Sequence, residues 1–231
     1  MVDVSGNVMS LLAPEFKDLK DLSTIRSGNA GTYEFYRLFY NCKNIKTCKD
    51  LVLPATTLAS RCYYEMFSGC TFLTTAPELP ATTLATYCYF SMFQSCTSLA
   101  SAPELPATTL ANNCYSNMFS GCISLTSTPA LPATTLANSC YGSMFSGCSS
   151  LTSAPALPAT TLATYCYAFM FSDCTSLNKI EVAFTTWNPT YCTKNWLQNV
   201  SSTGTFICPK KLDTSTPNAS HIPSKWTIVT K

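Results

Sequence analysis

Residues 62–70 read CYYEMFSGC, and the same frame returns as CYFSMFQSC (88–96), CYSNMFSGC (114–122), CYGSMFSGC (140–148) and CYAFMFSDC (166–174). Each copy encloses Tyr, Met and Phe at fixed places between two cysteines. The frame sits in a longer unit. LPATTLA begins at Leu53, Leu79, Leu105, Leu131 and Leu157, so the period is 26 residues. A fixed period of this size marks a repeat architecture, in which each unit buries its apolar face only against its neighbours. The register runs beyond the clean copies. In YRLFYNCKNI, Leu38, Phe39 and Cys42 stand where later units have Met, Phe and the second Cys. At the other end, Cys192 lies 26 residues after Cys166, and Trp196, Leu197 and Val200 replace Met, Phe and Cys. About seven units result, with divergent ends of the kind that capping units show.

Two segments alternate within a unit. At ~100° per residue, Cys62, Tyr63, Met66, Phe67 and Cys70 share one arc about 140° wide, while Ser60, Arg61, Tyr64, Glu65 and Ser68 fall opposite. This predicts a short helix, with Gly69, Gly121 and Gly147 at its left-handed end and the paired threonines of ATTL as N-caps. The segment up to the next LP, such as Leu99 to Pro106, carries two prolines, each lacking an N–H donor. The Ser/Thr residues just before the first Pro are therefore the strand candidates. At ~4.8 Å between strands, seven units stack to about 34 Å. The expected fold is an α/β solenoid with short parallel strands and one short helix per unit, capped at both ends. Residues 1–32 form an N-terminal cap or junction. Residues 33–200 form the repeat body, with five regular units over 53–182. Residues 201–231 form a C-terminal cap, with strands expected at Phe206–Cys208 and Trp226–Val229.

The cysteines then belong to the inward arc. Cys62, Cys88, Cys114, Cys140, Cys166 and Cys192 form one ladder, and Cys42, Cys70, Cys96, Cys122, Cys148 and Cys174 another. Buried thiols behave as small hydrophobes. Spacings of eight and eighteen do not match the Cys-x2-4-Cys pairs of structural zinc. Side chains in register point the same way, which favours free thiols over disulfides; Cys48 and Cys208 stand outside both ladders.

The phrase MFSGCTFLTTAPELP (66–80) and its copies resemble the BspA-type leucine-rich repeat. The matching residues are Phe67, Gly69, Cys70 and Leu73, then Phe93, Cys96 and Leu99, and so on in register from about Tyr33 to Val200. The resemblance implies a right-handed β/α solenoid on bacterial surfaces, in adhesion and host-protein binding. Similar repeats occur in gut bacteria, their phages and some protists.

Composition narrows the function classes. Only 11% of residues are charged and the net charge is +2, so no nucleic-acid partner is expected. Between Leu53 and Asn178 the charged residues are Arg61, Glu65, Glu78, Glu104 and Asp173. General acid–base chemistry has few candidates there, and the sole histidine, His221, reads as a tail residue. The chain is expected to be non-enzymatic and without a cofactor or metal. No apolar stretch reaches the roughly 18 residues of a bilayer span. The opening MVDVSGNVMS lacks the basic and long apolar segments of an export signal. That fits a chain not exported by that route, one whose signal has been removed, a virus particle or an excised domain.

Comparison among the five units points to a surface. The variable pairs are Ser60-Arg61, Thr86-Tyr87, Asn112-Asn113, Asn138-Ser139 and Thr164-Tyr165, and then Tyr64-Glu65, Phe90-Ser91, Ser116-Asn117, Gly142-Ser143 and Ala168-Phe169. All fall on the outward arc. Aromatics beside small polar residues make adaptable contact surfaces. The candidate partner-binding residues are Arg61, Tyr64, Tyr87, Phe90, Asn113, Asn117, Tyr165 and Phe169; drift of a solvent face accounts for the same variability. The expected function is a binding or adhesion module for a protein or glycan of a host or neighbouring cell, at the cell surface or secreted. A further association is expected through the charged N-terminal end. The alternative is a structural virion component of a bacteriophage, a fibre or decoration protein. A cytoplasmic scaffold with reduced thiols is a third reading.

Overall fold

A computed structural model describes residues 1–12, 18–24 and 34–231. The repeat boundary placed at Tyr33, and residues 13–17 and 25–32 of the expected N-terminal segment, lie outside the described residues. Five strands are present among the described residues: β1 (Val2–Asn7), β2 (Ile45–Val52), β3 (Lys179–Glu181), β4 (Gly204–Cys208) and β5 (Trp226–Thr230). β1 pairs with β2, and β3, β4 and β5 form a second sheet; all pairings are parallel. Between the two sheets the chain is poor in both strand and helix.

The 26-residue units lie side by side in parallel register. Thr57, Thr83, Thr109 and Thr135 bridge in succession. These are the second threonines of ATTL, so they join units rather than cap helices. Ser101 bridges Ser127, and Ser153 bridges Lys179. The strand segment before the first Pro is thus where expected, but reduced to a single paired residue, because the prolines that follow cannot extend a ladder.

The expected helix is absent. Residues 61–70 form a run of turns. Tyr64, Met66, Ser68 and Cys70 donate to the carbonyls of Arg61, Tyr63, Glu65 and Phe67, three residues back, at 3.0–3.3 Å. The alternate N–H groups of Tyr63, Glu65, Phe67 and Gly69 donate to Cys88, Phe90, Met92 and Gln94 of the next unit, at 2.8–3.0 Å. Half the donors close turns and half join neighbours, so the buried backbone is fully paired. Every fourth residue then takes positive φ: Arg61 (+59°), Glu65 (+52°) and Gly69 (+77°). The reason is spacing. Two helices need about 8–10 Å between axes, whereas the Phe rings of adjacent units are 5.2–5.7 Å apart.

The inward residues are those expected. Cys62, Tyr63, Met66, Phe67 and Cys70, and their copies in the other four regular units, are at most 1% exposed. Phe35, Tyr63, Tyr89, Tyr115, Tyr141, Tyr167 and Trp196 make one stack of rings, with centroids 5.5–6.2 Å apart. Phe39 to Phe171 make a second. Offset stacking of this kind adds about 0.5–1.5 kcal/mol per pair beyond area burial.

All fourteen cysteines are free thiols, Cys48 and Cys208 included. In the second ladder the thiol has a defined task. Cys96, Cys122, Cys148 and Cys174 Sγ donate to the carbonyls of Phe67, Phe93, Phe119 and Phe145 at 3.0–3.2 Å. Each of those carbonyls already accepts the N–H three residues on, so the thiol fills its second lone pair. An aliphatic residue of that size would leave it empty.

The C-terminal runs end the stack. Gly204 must be glycine, since a Cβ there would lie 2.5 Å from the Asn178 carbonyl oxygen and 2.7 Å from the Trp226 ring. Trp196, which replaces Met in the register, is fully buried and donates from Nε1 to the His221 carbonyl at 2.8 Å. No helix of the described residues is long and apolar enough to cross a membrane.

Candidate binding face

The turn run sets which side chains reach the surface. Three slots per unit face away from the ring stacks, and each slot makes a column along the stack. The first column reads Arg61, Tyr87, Asn113, Ser139, Tyr165 and Tyr191. The second reads Tyr64, Phe90, Ser116, Gly142, Ala168 and Lys194. The third reads Glu65, Ser91, Asn117, Ser143, Phe169 and Asn195. All members of the first and third columns have positive φ, between +49° and +66°.

All eight expected site residues lie in these columns, and the structure joins them in two groups. Tyr64 stacks on Phe90 at 4.7 Å, Tyr87 meets Phe90 edge-on at 5.6 Å, and the Arg61 guanidinium lies 5.0 Å over the Tyr87 ring. The second group lines a depression of about 180 Å³: Phe90, Asn113, Asn117, Tyr165 and Phe169 around a floor of small residues. Phe90 belongs to both. The residues are less open than an outward helical arc implies. Only Tyr165, at 38%, is exposed, and the rest are half-buried. Ser91, Ser116 and Ala168, expected outside, are 1%, 4% and 4% exposed, because units abut so closely that neighbours cover these positions.

The face extends past the expected residues at both ends. Tyr36 lies tilted against Tyr64 at 5.4 Å, and Arg37 lies over Tyr36 and Tyr40 while pairing with Glu65 at 2.6 Å. Tyr191 stacks on Tyr165 at 5.3 Å, and Lys194 lies over Phe169 and Tyr191. The 26-residue register from Tyr165 to Tyr191 and from Ala168 to Lys194 locates the C-terminal pair, whereas Tyr36 and Arg37 lie 28 residues before Tyr64 and Glu65, two more than the period.

Burial pushes the Cys70 and Cys174 thiols up to about 12, so these two stay protonated and poor nucleophiles at neutral pH. His221 packs its ring on Trp187 at 4.5 Å, with Nδ1 3.0 Å from Thr216 Oγ1. Larger depressions lie elsewhere, as between Lys20, Leu51, Pro54 and Pro80 (about 500 Å³) and along Pro77, Pro80, Pro103 and Pro106 (about 310 Å³). They lack the pairing of open ring faces with amide and hydroxyl groups.

Compared with family models, curated proteins and solved structures, the chain matches none.

Proposed function

We propose that the stack is a right-handed solenoid of the BspA leucine-rich-repeat kind and that it serves as a non-catalytic binding or adhesion module, at the cell surface or secreted. It presents the three columns to a protein or glycan partner. The observation that carries this reading is where the aromatics sit. Left-handed backbone costs most residues about 1–2 kcal/mol, and Gly, Asn and Asp tolerate it best. The chain uses Asn at 41, 113, 117, 195 and 199, Asp at 173 and Gly at 69, 121 and 147. Yet it places Tyr87, Tyr165, Phe169 and Tyr191 at φ +55° to +66°. Stacking offsets part of that cost, but Tyr165 and Tyr191 are exposed and Tyr87 and Phe169 only half-buried. Strained backbone at exposed aromatics supports a surface kept for contact.

The test uses the full chain and a variant with Tyr87, Phe90, Tyr165 and Phe169 changed to Ser. Both are passed over immobilised extracellular-matrix proteins, mucins and a glycan panel. Binding by the chain and its loss in a folded variant are expected. Equal binding by the variant, or none by the chain, refutes the reading. Protease shaving of washed intact cells should remove its peptides; enrichment in purified phage particles would assign the chain to a virion instead.

A further inference from the structure

Phe90, in the second of the five regular units, and Tyr165, in the fifth, each stack one ring face on a neighbour and flank the depression from its two ends. Phe90 is stacked on Tyr64 of the unit before it, with 14° between the planes. Its other face is turned along the stack toward the next unit, where the equivalent residue is Ser116. Tyr165 is stacked on Tyr191 of the unit after it, with 16° between the planes. Its other face is turned back toward Ser139. Three unit steps separate Phe90 from Tyr165. At ~4.8 Å of rise per unit, the two rings stand about 14 Å apart along the stack. Between them the columns carry Asn113, Ser139, Ser116, Gly142, Asn117 and Ser143, which form the floor of the depression.

Three properties of this site select a ligand. The lining carries no charged side chain. The floor offers amides and hydroxyls, groups that both donate and accept. Its backbone is already committed: Asn113, Asn117, Ser139 and Ser143 each give their N–H to the next unit, at 2.8–3.0 Å. A peptide strand adding to an edge would need those groups free. A ligand must therefore be held by ring faces at its ends and by side-chain hydrogen bonds in its middle.

We propose that the depression between Phe90 and Tyr165 binds a short neutral oligosaccharide, lying along the stack with a pyranose ring on each aromatic face. Each pyranose turns a C–H face to a ring, and its hydroxyls meet Asn113, Asn117 and Ser143. An acidic sugar gains nothing here, because its charge would find no partner and lose water. This proposal rests on the binding-module reading above and names the ligand class for it.

Gly142 provides the test that leaves the fold intact. Its equivalents are Tyr64, Phe90, Ser116, Ala168 and Lys194, and a Cβ there would meet its nearest atoms at 3.5–3.7 Å, ordinary contact. Gly142→Phe therefore fills the depression while every other wall and floor side chain stays in place. Phe90→Ala and Tyr165→Ala each remove one ring face. The probes are neutral linear oligosaccharides, their sialylated and sulfated counterparts, and proline-rich peptides, titrated against the full chain. We expect neutral oligosaccharides alone to bind. Gly142→Phe should abolish that binding at an unchanged melting temperature, and each ring deletion should weaken it roughly tenfold or more. If charged glycans or the peptides bind and Gly142→Phe abolishes it, the neutral-sugar assignment falls while the binding-module reading stands. If neutral sugars bind equally to Gly142→Phe, the site is elsewhere. If neither these probes nor the matrix proteins bind the chain, both proposals fall.

Discussion

Ser143 separates the turn run from the helix that its apolar spacing suggests. It holds φ at +53° and gives its N–H to the Ala168 carbonyl at 2.8 Å. At that backbone angle alanine carries about 1–2 kcal/mol of strain that glycine does not. Glycine loses about 0.4–1 kcal/mol of this advantage through its freer unfolded chain. Ser143→Gly should therefore be more stable than Ser143→Ala by about 0.5–1 kcal/mol. In a helix the order reverses, with alanine ahead by about 0.8–1 kcal/mol. For a chain of this size 1 kcal/mol moves Tm by roughly 2–4 °C, so the glycine variant should melt about 2 °C above the alanine variant. Paired urea titrations and calorimetry read the difference directly. An alanine variant more stable than the glycine variant would refute the turn geometry.

Other perturbations probe other parts of the stack. Phe119 is fully buried between Phe93 and Phe145, each at 5.7 Å. Phe119→Ala should cost about 3–5 kcal/mol in urea unfolding; a loss below about 1 kcal/mol would mean that the ring is not packed on both sides. Burial pushes Cys48, Cys70 and Cys174 from 9.0 to about 12. The unfolded chain then releases thiol protons that the folded chain keeps, so the stability they contribute is intact below pH 9 and lost as pH rises from 9 toward 12. A stability profile flat across that range would contradict the burial. Gly204→Ala forces a Cβ onto the Asn178 carbonyl and Trp226. It should open β4 and β5 to limited proteolysis first while the repeats stay protected, and unchanged cleavage would argue against that packing.

Much of the architecture was legible because the repeat is regular. The 26-residue period and the inward set Cys62, Tyr63, Met66, Phe67 and Cys70 follow from register, the two C-terminal strands from the apolar runs at Phe206–Cys208 and Trp226–Val229, and the surface columns from the positions that vary between units. The conformation of residues 61–70 was not legible from apolar spacing. Over nine residues a period of 3.6 and a period of four select the same inward positions. Two other signals separate them. Residues tolerant of left-handed backbone recur every fourth place, as in Asn113, Asn117 and Gly121, or Asn195 and Asn199. A stack rising by ~4.8 Å per unit also leaves no width for a helix in every unit. The depression between Phe90 and Tyr165 needed the structure, because its ring faces are defined by which neighbour each aromatic stacks on. Nothing in the composition says that Phe90 leans on Tyr64 and Tyr165 on Tyr191.

The near-constant ring step gives the stack the property of a ruler. Aromatic units mark its graduations, and units with Asn, Ser or Gly in the columns fill the intervals. Duplicating residues 131–156 would move the two facing rings one step further apart and leave every other contact type unchanged. Ligand length is then set by how many blank units lie between marked ones, a quantity that a 26-residue insertion or deletion changes in whole increments.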